Sequence, residues 1–271
     1  MAGIVGVHGI GKYNYFMAAG DSAEGAADAM RLKWDHYLGV ALGKEGAYFS
    51  EVAYFSHLLH DGRPKEGPQA FAGMHASAQQ VLMGWARNRG LGERFTGALK
   101  LFTGWLLARL DGRSAAFAAL FAPEVAAYLT DPGRRERCRE AVRDVIRKHR
   151  PRVLIAHSLG SVVAYETLWA NPDLEIDLLI TLGSPLGMRN VVFEHLLPAP
   201  VNGRGSRPAG VKRWVNIADK DDIAAIPPDL ALCFTGVDAE ERVNLDWIDF
   251  HTAEKYLGCP ALAPHLRPFL P

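Results

Sequence analysis

The chain has 271 residues, and 30 Lys and Arg balance 30 Asp and Glu, so its formal net charge is zero. That balance argues against bulk electrostatic attraction to nucleic acid or to an anionic membrane. Hydrophobic residues make up 49% and charged residues 22%, an ordinary globular composition, and the length accommodates one large α/β domain or two small ones.

The cysteines Cys138, Cys233 and Cys259 are odd in number, widely spaced and form no CxxC pair. Neither a disulfide framework nor a metal site is expected from them. The run from Met1 to His8 has no basic segment followed by a signal-length apolar segment, so the expected setting is a reducing cytoplasm. The longest apolar stretches, Leu101–Ala108 and Ser114–Pro123, are too short for a transmembrane helix.

In chain order, Gly3–His8 is an apolar run closing on glycines, which predicts a buried strand opening into a loop. A helical segment over roughly Ser22–Gly43 follows. Ala47–Phe55 is rich in β-branched and aromatic residues and reads as a second strand. Residues 60–130 differ in character. A Gly/Pro-containing loop begins them, then a helix-prone region in which Phe95, Leu99, Phe102, Leu106 and Leu110 recur at three- and four-residue steps. This insertion reads either as helices packed on the main core or as a lid over an apolar pocket.

A charged helix, Arg134–His149, is stopped by Pro151. Strand Val153–Ala156, helix Ser161–Ala170 and strand Leu178–Leu182 follow. A Pro/Gly/Arg-rich loop, Pro198–Gly210, leads to strand Trp214–Ala218, and His251 stands just ahead of a short helix. Short apolar strands alternating with helices predict an α/β class with a mostly parallel sheet covered on both faces. In such sheets functional residues gather beyond the carboxyl ends of the strands.

One such place is the pentapeptide Ala156-His157-Ser158-Leu159-Gly160, a strand, a sharp turn and a helix with serine at the apex. It departs from G-x-S-x-G only in having alanine first, which adds one methyl where small residues are needed. A tight turn exposes the serine Oγ and aims the following backbone N–H at a developing oxyanion. The alternative is a buried turn in which Ser158 merely caps the helix. His157 is expected to be structural.

Taken with His8-Gly9-Ile10-Gly11 before it, and with Asp219-Lys220-Asp221-Asp222 and His251 after it, this turn resembles the α/β-hydrolase superfamily. The resemblance is to lipase- and esterase-like serine hydrolases with an HGIG oxyanion loop, and it spans Ile4 to about Leu257. It implies a single hydrolase domain over residues 1–271, with residues 60–130 as an insertion or cap. It also implies Ser158 as nucleophile, His251 as base, and Ile10 and Leu159 as oxyanion-hole residues, with His8, Gly9 and Gly11 shaping the loop. The acid is Asp222 by its place before a small-apolar pair, with Asp221 and Asp219 as alternatives. The implied activity is cleavage of a carboxylic ester through an acyl-enzyme, with thioester, amide or acyl-transfer chemistry on the same triad. No cofactor or metal is implied. The partner expected is a small-molecule or lipid acyl substrate, with transient membrane contact through the insertion and no nucleic acid.

Two other readings stand beside it. A hydrolase fold can serve as an inactive binding or scaffolding protein, although such a chain should lack a triad member. Gly6-Val7-His8-Gly9-Ile10-Gly11-Lys12 also satisfies GxxxxGK, but Tyr13 stands where a P-loop needs Ser or Thr, and Gly6 falls inside the first predicted strand.

Overall fold

The computed structural model describes residues 3–43, 50–62, 74–91, 106, 110–245 and 251–270. In chain order the main elements are β1 (Ile4–Val7), α1 (Tyr13–Ala18), α2 (Ala23–Leu42), β2 (Ser50–Ala53), α3 (Ala76–Asn88), α4 (Gly112–Thr130), α5 (Pro132–His149), β3 (Val153–His157) and α6 (Leu159–Ala170). There follow β4 (Ile176–Leu182), β5 (Gly205–Ser206), β6 (Val211–Asp219), β7 (Phe234–Thr235), β8 (Ala239–Val243), α7 (Ala253–Leu257) and α8 (Ala263–Leu266).

Six strands form one sheet in the order β2-β1-β3-β4-β6-β8, and every neighbouring pair is parallel. The fold is therefore α/β. The central strands are apolar throughout because both faces of the sheet are covered. Val5, Val7, Leu154 and Ala156 turn to one core, shared with α3, α4, α5 and α6. Ile4, Val153 and Ile155 alternate to the other, shared with α2 and α7.

Helix ends follow local chemistry. Ser22 Oγ accepts the Gly25 N–H at 3.0 Å to start α2, and Gly43 ends it in the left-handed conformation. Asp131 caps α5 at the Arg134 N–H, Pro132 occupies the first turn, and Arg147, Lys148 and His149 crowd the last.

The insertion is helical where it is described. Trp85 of α3, Leu106, and Phe121 and Val125 of α4 are fully buried in the main core. Phe95, Leu99 and Phe102, on which the apolar periodicity rested, lie outside the described residues. Buried Glu166 of α6 receives the Arg135 Nε of α5 at 2.8 Å, the Tyr128 hydroxyl of α4 at 2.7 Å and the Leu197 N–H at 3.1 Å. Arg135 Nη2 donates to the remaining site, and with every lone pair engaged this buried carboxylate fixes α4 and α5 against α6. No helix of the described residues is long and apolar enough to cross a membrane.

Several short elements escaped the sequence, β7 and α8 among them. The edge strand β8 carries Glu240, Glu241 and Arg242 and has no apolar run, and α1 was not expected at all. The loop expected over Pro198–Gly210 contains β5, which pairs with β7 in a separate two-stranded ribbon.

Candidate active site

β2 is added on one side of β1, and all later strands are added on the other. The sheet therefore reverses its direction of growth between β1 and β3, the position at which open α/β sheets carry the crevice that binds ligands. Those loops carry His8-Gly9-Ile10-Gly11 and Ser158.

Ser158 has φ 54° and ψ −131°, a region that residues bearing a Cβ seldom occupy. Its side chain makes no capping hydrogen bond, so capping α6 is not its task. The Ser158 N–H donates to the Leu182 carbonyl at 2.9 Å. The Ser158 carbonyl accepts the Ser161 hydroxyl at 2.6 Å, and Ser161 is in turn 2.7 Å from the Ser184 hydroxyl. These contacts hold the strained turn from both sides. A Cβ on Gly160 would lie 2.3 Å from the His8 carbonyl oxygen and 2.5 Å from that of Val7, so only glycine lets α6 leave β3 past β1. A Cβ on Gly9 would lie 2.6 Å from the Ser158 Cβ, which places that backbone directly on the serine.

His251 stands between serine and acid. Its Nε2 is 2.8 Å from the Ser158 Oγ, and its Nδ1 is 2.8 Å from the Asp222 Oδ2. With Nδ1–H donating to the carboxylate, Nε2 is left to accept the serine proton. The Asp222 Oδ1 accepts the Ala224 N–H at 2.7 Å, and its Oδ2 also accepts the Tyr256 hydroxyl at 2.6 Å.

The two other acids of the cluster are occupied elsewhere. Asp219 accepts the Asp221 N–H at 2.8 Å and the Leu245 N–H at 2.5 Å, closing the turn after β6. Asp221 is half-exposed beside Lys220 at 3.5 Å. Asp222 is thus the acid in contact with His251, and neither alternative is.

The loop after β1 is braced from three directions. His8 Nδ1–H donates to the Gly9 carbonyl at 2.7 Å while Nε2 accepts the Phe55 N–H at 3.0 Å. Burial holds this imidazole neutral, pushing its pKa down to about 3. The Gly11 N–H donates to both carboxylate oxygens of Glu124, at 3.0 and 3.1 Å, and Glu124 also meets His60 Nε2 at 3.1 Å. Leu159 opens α6, so its N–H belongs to the donors a helix start leaves without an internal partner.

His157 is buried, as expected of a structural residue, with ring centroids 5.0 Å from His251 and 5.7 Å from Tyr256. Neither of its ring nitrogens has a hydrogen-bond partner among the described residues. Burial, and then the proximity of His251, drives its pKa well below the usual histidine range.

Sequence reasoning missed Tyr256, Glu124, Ser161 and Phe117, whose ring meets His251 edge-on at 5.1 Å, whereas Ser184 lies in Gly183-Ser184-Pro185, a segment expected beyond a strand end on the same edge as Ser158. Phe117 stacks on Phe121 and leans on Trp85, so the insertion supplies an aromatic wall beside the imidazole. Trp85 Nε1 also donates to the Ile223 carbonyl at 2.8 Å, tying α3 to the loop that carries Asp222. The placement of Tyr256 five residues after His251 also left a trace in the sequence.

GxxxxGK does not form a phosphate cradle. Gly6 is a strand residue paired with Val52 and Ile155, and the Gly11 N–H that a phosphate would need is taken by Glu124. No protein-family model, curated protein or solved structure matches the chain.

Proposed function

We propose that this protein is a serine hydrolase of the α/β-hydrolase superfamily, cleaving a carboxylic ester of a lipid or other acyl compound. The observation that carries the reading is the continuous relay Ser158 Oγ, His251 Nε2, His251 Nδ1, Asp222 Oδ2, with both links at 2.8 Å. Support comes also from the chain order of loop, serine, acid and base along a parallel sheet, and from the strained φ at Ser158.

Ser158 Oγ attacks the ester carbonyl as His251 takes its proton. Asp222 keeps the imidazole in the required tautomer and offsets the charge that forms on it. The oxyanion is received by the backbone N–H groups of Ile10 and Leu159, and loss of one such donor costs about 3 kcal/mol. The imidazolium then protonates the leaving alcohol, and water, deprotonated by His251, releases the acid from Ser158. No metal or organic cofactor takes part in this scheme. The Phe117 ring beside His251, backed by buried Phe121 and Trp85, favours an apolar acyl group.

The test is a fluorophosphonate probe followed by a series of p-nitrophenyl esters. Wild type is labelled and turns over esters, and Ser158→Ala does neither. Folded wild type that resists both reagents defeats the proposal.

A further inference from the structure

His251 is not the only group that holds Asp222. The Tyr256 hydroxyl donates to the same Oδ2 at 2.6 Å, and its oxygen accepts the Asp219 N–H at 2.8 Å. Tyr256 is fully buried, so each of these bonds is made in a place where losing it leaves a partner unsatisfied. The base and this hydroxyl sit on one short segment. His251 precedes Thr252, which caps α7 at the Lys255 N–H, and Tyr256 lies inside the helix. A single rigid piece of chain therefore brings two donors to one carboxylate oxygen, while Ala224 holds the other oxygen.

We propose that Tyr256 is a positioning residue of the triad: it fixes the Asp222 carboxylate and sets how strongly that carboxylate supports the charged form of His251. The proposal rests on the serine-hydrolase reading. Two donors share Oδ2, so the charge available to His251 is divided. Removing the tyrosine donor concentrates it on His251 and strengthens the imidazolium–carboxylate bond. The orientation of Asp222 loosens at the same time, because Tyr256 also links it to the backbone of Asp219. Among the described residues, the other ionisable groups facing this pair are His157 of β3, Asp219 at the end of β6 and Arg89 beside α3. The Tyr256 substitution alters none of them chemically.

Tyr256→Phe keeps the ring and removes only the hydroxyl. The expected result is a kcat lower by about tenfold, or ~1.4 kcal/mol in the barrier, with KM unchanged. The acidic limb of the pH–rate profile should move to higher pH. Incorporating a fluorinated tyrosine, a stronger donor of the same shape, should move that limb the opposite way. The same two substitutions are read without turnover by NMR titration of the His251 ring in Ser158→Ala protein, with circular dichroism confirming the fold. A rate loss with an unmoved limb and an unmoved ring titration means that Tyr256 is only packing, and it overturns the proposal, as does an unchanged kcat. An unmoved ring titration rejects the role of Tyr256 whatever the esterase assay shows. Wild type silent to fluorophosphonate rejects the hydrolase reading whatever the ring titration shows.

Discussion

The two halves of the site are built by different means. At the β1–β3 crevice the decisive contacts are close approaches that only glycine permits: Gly9 lies over the Ser158 Cβ, and Gly160 lies under the carbonyls of Val7 and His8. Across the sheet, at the ends of β6 and β8, Asp222, His251 and Tyr256 are joined by side-chain hydrogen bonds. The Ser158 end is thus specified by glycines that let chain segments meet, with side-chain bonds bracing them, and the Asp222–His251 end by the identity of its side chains. Substitutions should act on the first through clash and strain, and on the second through lost bonds and shifted titration.

The largest effect separates the acids. Ser158→Ala should lower kcat by about 10⁵-fold and Asp222→Asn by about 10⁴-fold. Asp221→Asn should leave the rate near wild type, and Asp219→Asn should lower thermal stability through its turn. Steady-state assays and melting curves on the four variants check this, and near-full activity in Asp222→Asn would break the contrast between the two ends.

At the crevice, Gly160→Ala forces a methyl against two carbonyl oxygens and should cost about 3 kcal/mol of stability, read by urea unfolding. Ser158→Gly should do the reverse. It releases the strained φ and should raise stability by about 1 kcal/mol while abolishing activity. A Ser158→Gly protein no more stable than wild type would mean that no strain is stored there.

Acid should weaken the crevice first. The folded-state pKa of His8 is about 3, below the unfolded histidine value of about 6.5, so the unfolded chain binds the proton first. Stability is complete above about pH 6.5 and falls at about 1.4 kcal/mol per pH unit toward pH 3. His157 adds to the same slope, since its pKa is also driven down. His8→Gln should flatten the slope of denaturant-measured stability against pH by about one proton between pH 6 and pH 4. An unflattened slope would assign acid lability to other groups.

The smallest effect tests the link between the insertion and the crevice. Glu124→Leu removes the acceptor of the Gly11 N–H and should lower kcat by about tenfold, with Glu124→Gln closer to wild type because the amide oxygen still accepts. Equal rates in both variants and wild type would detach α4 from the function of the loop after β1.

The sequence alone revealed the α/β class, the apolar strands, Ser158 on its turn and the glycines around it. These are local properties: short continuous apolar runs and backbone conformations that only certain residues tolerate within a few positions. It narrowed the acid to three aspartates and reached His251 by chain order. Only the tertiary structure chose Asp222, because Asp219 closes its own turn and Asp221 faces solvent. Only the tertiary structure brought Glu124 to Gly11 across 113 residues, set Phe117 against His251 and seated a charged edge strand, β8, beside β6. Those pairings join groups distant in the chain. No local propensity encodes them, because the partner exists only once the sheet and its helices have closed around it.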